Sequence, residues 1–143
     1  EVLEHLDSLE SAVSEIVRVL KPGRVLAVSV PRYLPELICW KLSPDYSKTP
    51  GGHVRIFKQT QLRKLILKEA MSYLSFHWAH ALHAPYWWLK CLFWDREEDH
   101  WLVRKYHEFL MWDLMKSPFL TRLLEMLLKP LIGKSLVMYF MKD

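Results

Sequence analysis

Leu20-Lys21-Pro22-Gly23-Arg24-Val25-Leu26-Ala27-Val28-Ser29-Val30-Pro31 reads as a helix end, a turn and a strand. Proline cannot continue a helix and glycine supplies the turn, so the preceding helix stops at Lys21. Val25 to Val30 is nearly continuous in apolar and β-branched residues, the pattern of a strand covered on both faces in a parallel sheet. Upstream, Asp7 and Ser8 are good helix caps, and Leu9, Ala12, Val13, Ile16, Val17 and Leu20 recur at three- and four-residue spacing. This predicts one amphipathic helix with a single buried face. A helix leading through a short turn into a buried strand is half of a βαβ unit, whose first strand is expected just before Glu1. On this reading the chain begins partway through a longer protein.

Downstream, Arg32 to Gly52 carries Pro35, Pro44 and Pro50 and ends in Gly51-Gly52, which predicts a long loop with one turn of helix near Leu37. Loops of that length at the carboxyl end of a parallel strand usually line a ligand site. After His53-Val54-Arg55-Ile56-Phe57, a helix is expected over Gln59 to Ala70 and a strand over Tyr73 to Trp78. From Pro85 to Lys129 the period is helical. Leu102, Val103, Tyr106, Phe109, Leu110 and Leu114 share one face, Ser117-Pro118 opens a second helix, and Pro130 ends it. Leu136 to Met141, six apolar residues between two lysines, predicts a final strand. The order is α, β, loop, α, β, helical insertion, β, without an internal repeat.

With 51% hydrophobic residues in 143, the chain has apolar mass for a sizeable core and is not disordered. Its net charge of +4 is scattered, with no run of the kind that indicates nucleic acid. Two cysteines are too few for a disulfide framework and favour a reducing, cytoplasmic setting. The aromatic-rich stretch from Trp78 to Trp94 carries His80, His83, Pro85 and Lys90, and so falls short of a membrane span.

The chemically dense stretch is the opening, Glu1-Val2-Leu3-Glu4-His5-Leu6-Asp7. Glu1, Glu4 and His5 are spaced i, i+3 and i+4, so a turn of helix brings them to one side, and His53 can approach from a later loop. Carboxylates with imidazoles suit Mg²⁺, Mn²⁺ or Zn²⁺. His5 is also the best general-base candidate, and a packing role at the helix start is its plain alternative. Arg32 and Tyr33 are candidate substrate contacts. His53 and Arg55 are candidates too, or else pin the loop to the sheet. His77, His80 and His83 recur every three residues, but a strand turns His77 away from the other two.

The opening, Arg18-Val19-Leu20-Lys21-Pro22-Gly23, Val28-Ser29-Val30-Pro31 and Gly52-His53-Val54-Arg55-Ile56-Phe57 together resemble, in order and spacing, the second half of class I S-adenosylmethionine-dependent methyltransferases of the ubiquinone-biosynthesis type. The resemblance covers residues 1 to 76, with Ser135 to Met141 similar to the closing strand. It implies an α/β chain forming the C-terminal part of a Rossmann-like sheet. Arg24 to Val30 would be the fifth strand, Tyr73 to Trp78 the sixth and Ser135 to Met141 an antiparallel seventh, with a helical insertion before the last. The units would be 1–84, the C-terminal half of the methyltransferase domain, 85–134, an aromatic-rich insertion, and 135–143, the final strand.

The glycine-rich cradle for S-adenosylmethionine would precede Glu1, leaving Glu1 as the residue beside the cofactor, and residues 1–143 alone are expected to be inactive. Glu1, Glu4, His5 and His53 are similar to the metal set of metal-dependent ubiquinone O-methyltransferases and small-RNA 2′-O-methyltransferases, which implies a divalent metal such as Mg²⁺ or Zn²⁺. Arg24, Arg32, Lys58 and Met71 depart from the usual pattern, and Arg32 stands where specificity is normally set.

The insertion has two readings. Its Trp, Tyr, Phe and Leu form its own core and a lid, or its aromatics with Lys90, Arg96, Arg104 and Lys105 form a peripheral membrane contact. Either favours a hydrophobic small-molecule acceptor. The alternative from another class is a non-catalytic membrane-surface or partner-binding module on a degenerate methyltransferase-like fold.

Overall fold

The proline-glycine turn at Pro22-Gly23 forms as its residue types require. Gly23 takes a positive φ of 71°, its N–H donates to the Lys142 carbonyl, and it hands α1 (Leu9–Val19) to β1 (Val25–Pro31). The computed structural model describes residues 1–49, 53–96 and 100–143. Within these, a mixed α/β chain follows the order α1, β1, α2 (Tyr33–Leu42), α3 (Gln59–Ile66), β2 (Met71–Ala79), α4 (His83–Leu92), α5 (Trp101–Lys116), α6 (Phe119–Ile132) and β3 (Ser135–Lys142). The sheet order is β1-β3-β2. Val28 pairs Met138 on one side of β3 and Phe76 pairs Met138 on the other, both antiparallel, so β1 and β2 share a direction.

One core lies against the sheet. Leu9, Val13 and Val17 of α1 and Leu62, Leu65 and Ile66 of α3 pack with Val28, Val30, Leu136, Met138 and Phe140. The α1 periodicity thus specified its buried face at Leu9, Val13 and Val17, while Ile16, expected on the same face, is exposed. The Lys142 ammonium closes the end of that helix, donating to the carbonyls of Val17 (2.7 Å) and Leu20 (2.8 Å). At the start of α3, Gln61 accepts the Lys58 backbone N–H, half of a capping box, although Lys58 replaces the usual small cap.

Four sequence expectations change. Arg32 to Leu42 is mostly helix, because Pro35 falls in the first turn of α2, where a missing N–H costs nothing. Pro44 follows its end, and Pro50–Gly52, the expected close of the loop, lie outside the described residues. β1 is not covered on both faces: Val25 is exposed and only its last part is buried, since β1 is an edge strand among the described residues. Pro130 lies inside α6 rather than ending it, near enough to the last turn that one backbone hydrogen bond is lost. Ser117 takes a left-handed conformation (φ 42°) as the cap that closes α5, and Pro118 is the residue that opens α6.

Gly133 is required by close approach, because a Cβ there would lie 2.5 Å from the Lys129 carbonyl oxygen and 2.9 Å from the Trp78 Cβ. Gly133→Ala is expected to cost about 1–3 kcal/mol through the forced shift of α6 against β2. A denaturant midpoint equal to that of the parent would show that this approach is looser than described.

Candidate metal centre and adjoining cavity

The opening segment makes a single 3-10 turn over Leu3–His5. The Glu4 carbonyl accepts the Val54 N–H, and the Arg55 guanidinium donates to the Leu6 carbonyl at 2.5 Å. These bonds join two segments distant in sequence and place His53 over the turn. Arg55 is therefore a structural tie, the plain reading of this residue, and its guanidinium is committed to backbone.

Glu4 is fully buried, and neither carboxylate oxygen has a hydrogen-bond partner among the described residues. Its Oε1 stands 3.8 Å from His5 Nε2 and 4.0 Å from His53 Nε2. One ligand atom from each of the three residues falls within 4.8 Å of the others, a grouping that could hold a metal ion. Ligands at ~2.0–2.2 Å from a common ion stand roughly 3–4 Å apart, so the separations fit with little movement. A buried carboxylate without donors costs free energy unless a cation or proton meets it, and the site's chemistry explains what the apolar core does not.

Glu1 does not join the three. The 3-10 turn begins after it, and its carboxylate accepts from the Ser135 hydroxyl at 2.5 Å and the Ser29 hydroxyl at 3.4 Å. The i, i+3, i+4 argument assumed that the helical turn included Glu1.

His53 is oriented from behind. Its Nδ1 meets Glu36 Oε1 at 2.5 Å, while Glu36 Oε2 accepts from Lys134 Nζ at 3.2 Å. Burial of Glu36 opposes its ionisation, but His53 and Lys134 outweigh that and hold its carboxyl below the usual range. With Nδ1 committed to Glu36, the His53 Nε2 faces Glu4, the carboxylate–histidine arrangement that sets tautomer and ring orientation at metal sites. Tyr46, whose phenol is pushed up mainly by burial and then by Glu36, lies beside the same group.

A cavity of about 250 Å³ adjoins His53, lined by Glu1, Tyr46, His80, His83, Trp87, Lys134 and Ser135. It sits where β1 and β2 both end, since Ser135, the first residue of β3, pairs Pro31 and Ala79. Partial desolvation, with His80 beside it, lowers the pKa of the otherwise exposed His83. His77 instead stacks on Tyr139, away from these two.

Arg32 and Tyr33 line a separate cavity of about 230 Å³ with Phe57, Lys58 and Trp78. The Arg32 guanidinium lies 4.3 Å over the Trp78 ring and donates to the carbonyls of Lys129 and Leu131 at 3.3 Å. It ties α6 to the sheet, so the four candidate substrate residues do not converge. Glu36, Tyr46 and Lys134 were not singled out from sequence. Glu36 falls in a stretch whose prolines suggested a loop, and no spacing connects it to His53. Comparison with protein-family models and with curated proteins gives no match.

Proposed function

We propose that the chain is the acceptor-side part of an S-adenosylmethionine-dependent methyltransferase acting on a hydroxyl of a hydrophobic small molecule, with Glu4, His5 and His53 holding a divalent cation. The observation that carries this reading is the convergence of the fully buried Glu4 carboxylate, whose oxygens accept no hydrogen bond among the described residues, with two imidazoles, beside a cavity at the shared ends of β1 and β2. The resemblance implies strands of one direction closed by an antiparallel one, and β1, β2 and β3 are consistent with it. A divalent ion there would lower the pKa of an acceptor hydroxyl, removing the need for a strong base.

The residues of the metal centre and the cavity beside it then divide the work. Glu4, His5 and His53 supply the ligands, and Glu36 with Lys134 orients His53. Trp87 and Tyr46 present rings to the acceptor, and the cavity is of a size for its reactive end. Methyl transfer to a fixed hydroxyl draws most of its acceleration from such positioning. The donor cradle is assigned to a part of the natural polypeptide outside residues 1–143. The natural polypeptide containing these residues should therefore bind S-adenosylmethionine and transfer labelled methyl groups to alkylated phenols. Chelation should stop the transfer and added Mn²⁺ or Zn²⁺ restore it. Failure to bind the sulfonium donor would end the methyltransferase reading, and transfer indifferent to chelation would end the metal role alone.

A further inference from the structure

Of the insertion's aromatics, Trp87 and Trp88 are both half-buried. Trp88 Nε1 donates to the Pro35 carbonyl, and both rings pack around Cys39, Cys91 and Tyr46. The exposed apolar surface lies further along, where α5 turns into α6. Leu114, Met115, Phe119 and Leu120 are 72%, 75%, 81% and 65% exposed, and the run continues along α6 through Leu124, Leu127 and Leu131 at helical spacing. Trp112 is also exposed on the last turns of α5.

Two features decide the occupant. Adjacent helix positions differ by about 100° in direction, so Leu114 and Met115, like Phe119 and Leu120, diverge around a projecting turn. One flat protein face cannot cover all four, whereas a fluid apolar phase can. Charge points the same way. From Leu114 to Leu124 there is no carboxylate, while Lys116 and Arg122 are exposed on either side of the tip. Between His100 and Lys134 five Lys and Arg oppose three carboxylates. Of those three, Glu108 pairs with Lys105 and Glu125 accepts the Ala81 and Leu82 N–H groups. No helix among the described residues is long and apolar enough to cross a membrane.

We infer that the α5–α6 turn docks on the surface of an anionic lipid bilayer, its apolar tip entering the acyl boundary and Lys116 and Arg122 meeting lipid phosphates. This assignment is independent of any methyl transfer. Shallow insertion of such a tip combined with basic residues is the usual two-part basis of peripheral binding.

Sedimentation of the 143-residue chain with phosphatidylcholine vesicles, with and without phosphatidylglycerol, tests it. Binding should be about tenfold or more tighter when the anionic lipid is present. Leu114→Ser with Phe119→Ser should abolish sedimentation without changing the circular dichroism, because both side chains are largely in solvent. Lys116→Glu with Arg122→Glu should remove the preference for phosphatidylglycerol. Chain that stays in the supernatant, or a serine variant that sediments as the parent does, overturns the inference. So does a dimer in gel filtration that the serine variant splits while the parent ignores vesicles, since a second copy would then be the occupant.

Discussion

Glu36→Ala is expected to destabilise the chain by about 3–5 kcal/mol, the range for deleting one partner of a buried ion pair. The cost is high because Glu36 is fully buried and serves two groups at once, His53 Nδ1 and Lys134 Nζ, the latter with a side chain only 11% exposed. Removing the carboxylate leaves a buried ammonium uncompensated and frees the imidazole that α2 otherwise fixes. Urea denaturation at neutral pH measures the loss, and a change below about 1 kcal/mol would mean that the pair is solvated.

The same carboxylate sets an acid limb. Its native pKa is depressed, so its contribution is complete above the ordinary carboxylate range and is lost as pH falls through the lower native value. Glu36→Gln should flatten that limb in a titration of stability below pH ~4.5. An unchanged acid limb would assign it to other groups.

Glu4 should give effects of opposite sign on metal affinity and on metal-free stability. Glu4→Ala is expected to weaken Zn²⁺ or Mn²⁺ binding by at least ~100-fold, more than loss of an outer partner such as Glu36 would produce. In chelator, Glu4→Met should instead raise the melting temperature, because a thioether of similar size relieves a buried carboxylate that lacks donors, worth about 1–3 kcal/mol. Calorimetric titration and thermal melts in parallel read both. Equal ion affinity in the alanine variant, or a lowered melting temperature in the methionine variant, would show that Glu4 has a purely structural partner.

Periodicity alone was sufficient for α1 and β3, whose apolar face or run is buried, whereas α3 stops at Ile66 rather than Ala70 and β2 forms where alternation placed it although Leu74 and Phe76 are exposed. The prolines of Arg32 to Pro50 misdirected the reading of α2, since proline at a first helical turn and proline in a loop look alike in one dimension. The helical face assigned to α5 included Leu114, which is instead 72% exposed, because spacing identifies which residues share a face without saying how far along the helix that face is covered.

At the opening segment the residue types were legible and the set was not. Glu4 and His5 are candidate ligands by identity and adjacency and His53 is one from a later loop, so the sequence by itself determined that a carboxylate and imidazoles were on offer, and the structure brought one ligand atom from each within 4.8 Å of the others. Only the tertiary structure decided that Glu1 turns away to Ser29 and Ser135, that Glu36 stands behind His53, and that the exposed apolar tip is Leu114 to Leu120 rather than Trp87 and Trp88. The reason is physical. Which face of a short turn a side chain leaves from, and which apolar residues find a neighbour to cover them, depend on contacts between segments far apart in the chain, and those contacts leave no period in the sequence.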